Sequence, residues 1–273
     1  MKKVDLHLHS TFSDGTYSPE TIVQLAHTNG LSAIAIADHD EISGFSPAYK
    51  VGKELGVDVI PAIEFSGSHC DRSFHILGYF IDPADRQLLD FLLSMRKARL
   101  IRAEKIVHKF QSVGISIELT EIEEHSGIGV ICRTHIADVL VSKGIVSDLR
   151  SAFSKYLGWD CPCYVSKSNI STQYIIDLIR KSGGIPALAH PSHPDVGDLI
   201  YALIKEGLMG IEVWYPTASK STIDYYLKIT DEYGLVPTGG SDSHGARPRY
   251  PNIGEFYVPY EVLDRLIDLH NRI

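Results

Sequence analysis

Short apolar runs that end in a histidine or a carboxylate recur along the whole chain. One run leads into His7 and His9 near the amino terminus, and another leads into Asp242 and His244 near the carboxyl terminus. Between successive runs lie stretches with the apolar periodicity of helices, such as residues 19–29, 45–55, 172–182 and 222–233. A strand followed by a helix, repeated, predicts parallel βα units. Because polar residues at the carboxyl ends of such strands share one face of a barrel, we expect a single site there.

The first run, residues 4–10 (VDLHLHS), places two histidines two positions apart. Side chains alternate along a strand, so His7 and His9 lie on the same side and can hold one divalent metal. The turn that contains Asp14 can bring a carboxylate back over them. An isolated pair of this kind is more often two partly buried histidines. The recurrence of similar residues after later apolar runs favours a metal site.

The candidate metal ligands combine imidazoles with carboxylates. They are His7, His9, Asp14, His39, Glu64, His75, His190, Asp242 and His244. A mixed nitrogen and oxygen set suits zinc, manganese or iron(II), and contains too much nitrogen for magnesium or calcium. These are too many ligands for one ion, so we expect two or three divalent ions bridged by carboxylate and hydroxide. Centres of this kind hydrolyse esters. His75 comes early in its run, so that strand has a different orientation or an irregular loop.

Composition narrows the class of protein. The formal net charge of −8 disfavours broad binding of duplex nucleic acid, although metals and a few arginines can hold a short phosphorylated ligand. No apolar run approaches membrane-spanning length, and no apolar segment follows the basic residues at the start. Four scattered cysteines are too few for a disulfide framework. We therefore expect a cytoplasmic protein that binds no membrane.

The strand–helix alternation breaks once. Helical patterns dominate over residues 87–110, 133–142 and 147–157. We interpret this region as a small helical insertion domain on an α/β barrel. The predicted division is a first barrel part over residues 1–87, an insertion over 88–165 and a second barrel part over 166–273.

Several basic residues are candidates for binding substrate. His135 stands at a predicted helix start, where it can meet a phosphate beside free backbone N–H groups, or can belong to a satisfied helix cap. Arg96, Arg99 and Arg102 lie on one side of the long predicted helix. Such a row is usually a solvated face, and a substrate contact by one of them, Arg99 in particular, is the alternative. His193 is either a loop residue or a substrate contact.

Some acidic residues next to the candidate ligands can support them. Glu212 ends a further apolar run and can hold a ligand imidazole by accepting its other ring N–H group. The same interpretation applies to Asp5, Asp38 and Asp40.

Taken in order, the motifs D-L-H-x-H-S, S-D-G, D-H-D, E, H, A-H-P and S-D-x-H resemble the PHP superfamily of metal-dependent phosphoesterases over nearly the whole chain. The resemblance implies a distorted (β/α)7 TIM-like barrel with a trinuclear site. By the family motifs, His7, His9, Glu64 and Asp242 would hold one metal, Glu64, His75 and His190 a second, and Asp14, His39 and His244 the third. A metal-bridging hydroxide would be the nucleophile, with Glu64, Asp242 and His244 as the catalytic ligands.

The insertion resembles one branch of that family. Residues 133–137 (RTHIA), and Tyr156-Leu157 followed by Tyr164-Val165-Ser166, are similar to enzymes that hydrolyse nucleoside 3′,5′-bisphosphates and degrade short RNA from the 5′ end. The resemblance implies that the insertion covers the substrate, and that Arg133 and His135 bind a substrate phosphate. The expected partner is therefore a nucleotide or short RNA, and the oligomeric state is open.

Two alternatives compete with the nucleotide hypothesis. One is histidinol-phosphate phosphatase, which needs a pocket for an imidazole amine; Arg133 in the insertion argues against it. The other is a non-catalytic PHP module that stabilises or regulates a polymerase. The complete ligand set argues against that module.

Overall fold

The computed structural model describes residues 2–70, 72–191 and 197–273. His193, a predicted substrate contact, lies outside the described residues. The strands are β1 (Lys3–Leu8), β2 (Leu31–Ile36), β3 (Asp58–His69), β4 (Arg72–Tyr79), β5 (Ile185–Leu188), β6 (Gly210–Trp214), β7 (Val236–Gly239) and β8 (Val258–Pro259). The helices are α1 (Pro19–Thr28), α2 (Phe45–Leu55), α3 (Arg86–Ser112), α4 (Leu119–Ser126), α5 (Arg133–Ser142), α6 (Leu149–Ala152), α7 (Thr172–Lys181), α8 (Gly197–Glu206), α9 (Lys220–Tyr233) and α10 (Tyr260–His270), with a π-helical turn at Phe153–Leu157.

The strands form one sheet in the order β7-β6-β5-β4-β3-β2-β1-β8. Strands β1 to β3 run parallel, as do β5 to β7, whereas β4 is antiparallel to both of its neighbours. The barrel closes between β1 and β7, where the backbone N–H of His9 donates to the carbonyl of Ser243 at 2.9 Å. The predicted distorted (β/α)7 barrel is confirmed, with the two-residue β8 added antiparallel to β1.

The helices that surround the barrel begin and end where the sequence provides caps. The Ser18 side chain accepts from the third residue of α1, a contact that stabilises a helix by about 1 kcal/mol. Ile22, Val23 and Ala26 form the buried face of this helix and pack into a cluster with β1 and β2. Gly56 ends α2 in the left-handed conformation, with φ of 72°.

Helix α3 connects two hydrophobic clusters. Its first half, including Phe91 and Met95, packs into the cluster formed with β3, β4 and α7. Its second half, including Ile106 and Phe110, packs into a separate cluster made by residues 103–165. The division of the chain into domains at residues 88 and 165 stays a prediction. None of the helices in the described ranges is long and apolar enough to cross a bilayer.

Candidate metal centre

The end of β1 carries the pair of histidines predicted to share one side of the strand. Both side chains are buried, and their Nε2 atoms lie 3.2 Å apart. The turn after β1 brings Asp14 back toward the same space. Its Oδ1 lies 3.3 Å from Nε2 of His244 and 3.8 Å from Nε2 of His39. Residues from three separate loops therefore meet at one barrel end.

Glu64 stands in β3 with its carboxylate fully buried. One oxygen, Oε1, lies 2.7 Å from Nδ1 of His75 and 2.8 Å from Nε2 of His190. The other, Oε2, lies 2.7 Å from Nδ1 of His39 and 3.4 Å from Nε2 of His9. The two oxygens thus face different groups of imidazoles, which is the arrangement of a carboxylate that bridges two metal ions.

The orientation of β4 explains the position of His75. Because β4 is antiparallel to β3, its first half lies at the barrel end where the neighbouring parallel strands finish. His75 pairs with Ser66 in this register, two residues from Glu64. Of the two explanations that the sequence left open, the reversed strand is confirmed.

The structure brings all nine candidate ligands together. Their ligand atoms fall into four groups, in each of which the atoms lie within 4.8 Å of one another. The groups are His9, Asp14, His39 and His244; His7, Glu64 and His190; His7, His9 and Asp242; and His39, Glu64 and His75.

Three buried ligand atoms show that the side chains fit metal ions. Asp14 Oδ1, His39 Nδ1 and Glu64 Oε2 are inaccessible to solvent and have no hydrogen bond of acceptable geometry in the described structure. An unsatisfied buried polar group costs about 1–3 kcal/mol. Divalent cations would satisfy all three, and imidazole with carboxylate suits zinc, manganese or iron(II). The residues therefore fit more than one such ion.

The pKa values of the histidines in the centre depend on burial and on the charged groups beside each ring. Burial alone would lower the pKa of His190 and His244, but the carboxylates of Glu64 and Asp14 raise both to about 9. Burial and the neighbouring His244 together lower the pKa of His9 to about 3. Protonated imidazoles thus compensate the carboxylates, and metal ions would take the place of these protons.

Glu212 contacts two of the candidate ligands. The sequence predicted that it would hold one ligand imidazole. Its Oε1 lies 3.0 Å from Nδ1 of His7, and its Oε2 accepts the backbone N–H of His190 at 2.7 Å. This contact leaves Nε2 of His7 free to face the centre. Glu212 is fully buried, so its carboxylate holds the ring without competition from water.

The prediction that Asp5, Asp38 and Asp40 also hold imidazoles is wrong. In the described structure these carboxylates accept backbone N–H groups of Ser241, Ser10 and Ser66 respectively. Asp5 lies within β1, and Asp38 and Asp40 follow β2; each carboxylate reaches a backbone N–H group rather than a ring. They fix the backbone next to the ligands.

The predicted substrate residues have different surroundings. His135 is buried, and its Nδ1 accepts the backbone N–H of Cys132 at 3.1 Å, so it completes the cap of α5. Arg99 donates to Asp40 through Nε at 3.0 Å and through Nη2 at 2.5 Å. Arg133 instead lies over the ring of Phe153, with the carbonyl of Leu157 as its hydrogen-bond acceptor. Substrate contacts by these residues stay predictions.

A cleft of about 620 Å³ adjoins the centre. Its lining includes basic and aromatic side chains: Arg72, Arg102, Arg133, Lys167, Trp159 and Tyr164. Lys167 joins the cleft to the centre, because its Nζ lies 2.9 Å from Nε2 of His75. No spacing or periodicity in the sequence connects Arg72, Trp159 and Lys167, so none of the three was predicted.

A barrel with nine convergent histidines and carboxylates at one end defines the chain as a candidate multinuclear metallohydrolase. A family model described as the PHP domain matches residues 5–142. The chain belongs to the PHP family and is a metal-dependent phosphoesterase.

Three known proteins similar to this chain are named for the hydrolysis of phosphate esters. A 3′,5′-nucleoside bisphosphate phosphatase from Chromobacterium violaceum is 33% identical over 89% of this chain and 88% of its own length. A 5′-3′ exoribonuclease from Haemophilus influenzae is 32% identical over 89% of this chain and 90% of its own length. A solved structure of a candidate metal-dependent phosphoesterase from Bifidobacterium adolescentis aligns with a TM-score of 0.89 at 29% identity, covering 97% of this chain and 95% of that one.

Proposed function

We propose that this phosphoesterase hydrolyses phosphate esters of nucleotides, namely nucleoside 3′,5′-bisphosphates or short RNA from its 5′ end. The observation that carries the proposal is the position of Lys167 between the metal centre and the cleft. This ammonium group lines a cleft with three arginines and also contacts His75 of the metal centre. A substrate with two phosphates can thus place one at the metals and the other among the arginines. The names of the two relatives support the same substrate class.

The chain's own side chains have defined parts in this reaction. When bound, divalent ions would activate water as the nucleophile and hold the phosphate oxygens. Glu64 would join two of the ions, Asp242 would hold one of those two, and His244 would hold the third. Lys167 is placed to compensate charge on the phosphate at the centre. Because donors aimed in advance at developing charge need no reorganisation, this arrangement favours the transition state.

The cleft disfavours the histidinol-phosphate alternative. That substrate carries an ammonium group, which the four cations of the cleft would repel. The polymerase-associated module is disfavoured because all nine ligand positions converge. We also propose a cytoplasmic location, because the four cysteines are free, as is usual in a reducing compartment.

A phosphate-release screen tests the proposal. Protein loaded with manganese is assayed on adenosine 3′,5′-bisphosphate, a 5′-phosphorylated RNA pentamer and histidinol phosphate, with RNA products resolved by length. We expect turnover of one or both nucleotide substrates and little of histidinol phosphate. A preference for histidinol phosphate, or no turnover of either nucleotide with manganese, zinc or iron(II), would contradict the proposal.

A further inference from the structure

Among the described residues, the basic side chains of the cleft have no acidic partner. Arg102 donates to the carbonyl of Val165 at 2.9 and 2.7 Å, and Arg133 donates to the carbonyl of Leu157 at 3.1 Å. Arg72 lies over the ring of Phe74. Within the described ranges, none of these arginines has a carboxylate within 4.0 Å, in a chain of net charge −8. Their charge is left for an anion that enters the cleft.

Burial removes water from the charged guanidinium groups of this cleft. Burial and the adjacent positive charge of Arg133 together lower the pKa of Arg102 to about 10. Burial also lowers the pKa of Arg133. Two partly desolvated guanidinium groups on one wall repel each other. A phosphate between them would relieve that repulsion and accept charge-assisted hydrogen bonds.

The rim of the same cleft carries two aromatic rings. Trp159 is 69% exposed, although an indole of this size is usually largely buried. Its ring centroid lies 5.2 Å from that of Tyr164, and the planes are inclined at 59°. Both residues line the cleft. An exposed indole beside unneutralised arginines matches a ligand that has both an aromatic face and a phosphate.

The metal centre and the cleft are close enough for one ligand to reach both. Arg99, which pairs with Asp40 beside the centre, and Arg102, which lines the cleft, are three positions apart on α3. The rise of a helix over three residues is about 4.5 Å. Lys167 lies between the two regions, in contact with His75.

We propose that this cleft is a nucleoside subsite, in which the base stacks on the exposed ring of Trp159 with Tyr164 at its edge, and the second phosphate binds Arg102 and Arg133. The inference rests on the proposed function and specifies which substrate groups the enzyme recognises outside the metal centre. Stacking accepts the face of any base, so the subsite selects single-stranded nucleotides with little preference among bases. It also favours substrates that carry a second phosphate.

The aromatic part is tested with Trp159→Ala and Trp159→Phe. The substrates are adenosine 3′,5′-bisphosphate and its base-free counterpart, 1,2-dideoxyribose 3,5-bisphosphate. The ratio of their kcat/KM values should fall by roughly five- to a hundredfold in Trp159→Ala, because stacking contributes about that much to binding. Trp159→Phe should restore most of the ratio. Tyr257→Ala, which removes another exposed ring, is the control and should leave the ratio unchanged.

The phosphate part is tested with Arg102→Gln, with the exposed Arg265→Gln as control. Turnover of adenosine 3′,5′-bisphosphate, relative to whichever of 3′-AMP and 5′-AMP the wild-type protein cleaves, should fall by roughly tenfold or more in Arg102→Gln alone. In the wild-type protein, adenosine 3′,5′-bisphosphate should also quench the fluorescence of Trp159, measured as the difference from Trp159→Phe. Thermal melting confirms that each variant is folded.

The two hypotheses fail in different ways. Wild-type turnover of nucleotides, with both substrate ratios unchanged in Trp159→Ala and Arg102→Gln, would overturn the subsite and leave the proposed function standing. Quenching of Trp159 without turnover of any nucleotide would support the subsite and contradict the proposed function.

Discussion

The hydroxyl of Thr134 donates to Oδ2 of Asp14 at 2.7 Å, so helix α5 fixes a carboxylate of the candidate metal centre. The other oxygen, Oδ1, faces His244 and His39. A second connection runs through Arg247, which donates to the backbone carbonyl of Asp14 and pairs with Asp138 of α5 at 3.0 and 2.8 Å. The helix that starts with Arg133 therefore also determines where a metal ligand points.

Thr134→Val should weaken the binding of one metal ion. Valine has nearly the same shape but cannot orient Asp14, and the loss of such a contact typically costs 10- to 100-fold in metal affinity. We expect less metal per chain than in the wild type after manganese loading and dialysis, measured by elemental analysis. Thr134→Ser retains the hydroxyl and should behave as the wild type. Equal metal retention in the valine variant would show that Asp14 does not depend on this contact.

Glu64→Gln should abolish turnover while leaving the fold intact. The two oxygens of Glu64 face different imidazole groups, and an amide offers one oxygen and one NH₂ group in their place. Phosphate release measured beside circular dichroism checks this. Near-normal activity would mean that another residue bridges the ions.

Glu212→Gln should reduce metal affinity or activity by about 10- to 100-fold, although Glu212 is not predicted to touch a metal. The substitution preserves size but removes the negative charge that holds Nδ1 of His7 at 3.0 Å. Metal titration and steady-state kinetics provide the measurement, with the exposed Glu261→Gln as control. If both variants match the wild type, the orientation of His7 does not depend on Glu212.

The sequence predicted the parts of the site that depend on local geometry. Alternation along β1 placed His7 and His9 on one side, and parallel strands brought residues that follow them to one barrel end. The orientation of β4 stayed open, because an apolar run has the same pattern in either direction. Glu212 could be placed because it belongs to an apolar run like those that carry the ligands, although it lies in the middle of β6.

Contacts between distant segments could not be predicted in the same way. The pairing of Arg99 with Asp40 depends on how α3 crosses the barrel, which periodicity does not encode. Trp159 lies in a loop after the π-helical turn, where the residue pattern predicted an ordinary helix end. His135 shows a related difficulty, because the residue that was expected to bind phosphate is the N3 residue of its own helix cap. Each of these side chains has both a local and a distant possible partner, and tertiary packing determines which contact forms.

Arg133→Ala should damage substrate use more than metal binding. Arg133 lies over Phe153 and Tyr164 on the wall of the cleft, and belongs to none of the four ligand groups in the described structure. A charge-assisted hydrogen bond to phosphate is worth about 1.5–3 kcal/mol, so kcat/KM on a nucleoside bisphosphate should fall roughly ten- to a hundredfold. Metal content should equal that of the wild type, and thermal melting should show a folded protein. Unchanged kinetics on every cleaved nucleotide would show that Arg133 does not bind substrate. That result would also weaken the nucleotide hypothesis, because the arginines of this cleft are the feature that favours a nucleotide over a simple phosphate monoester.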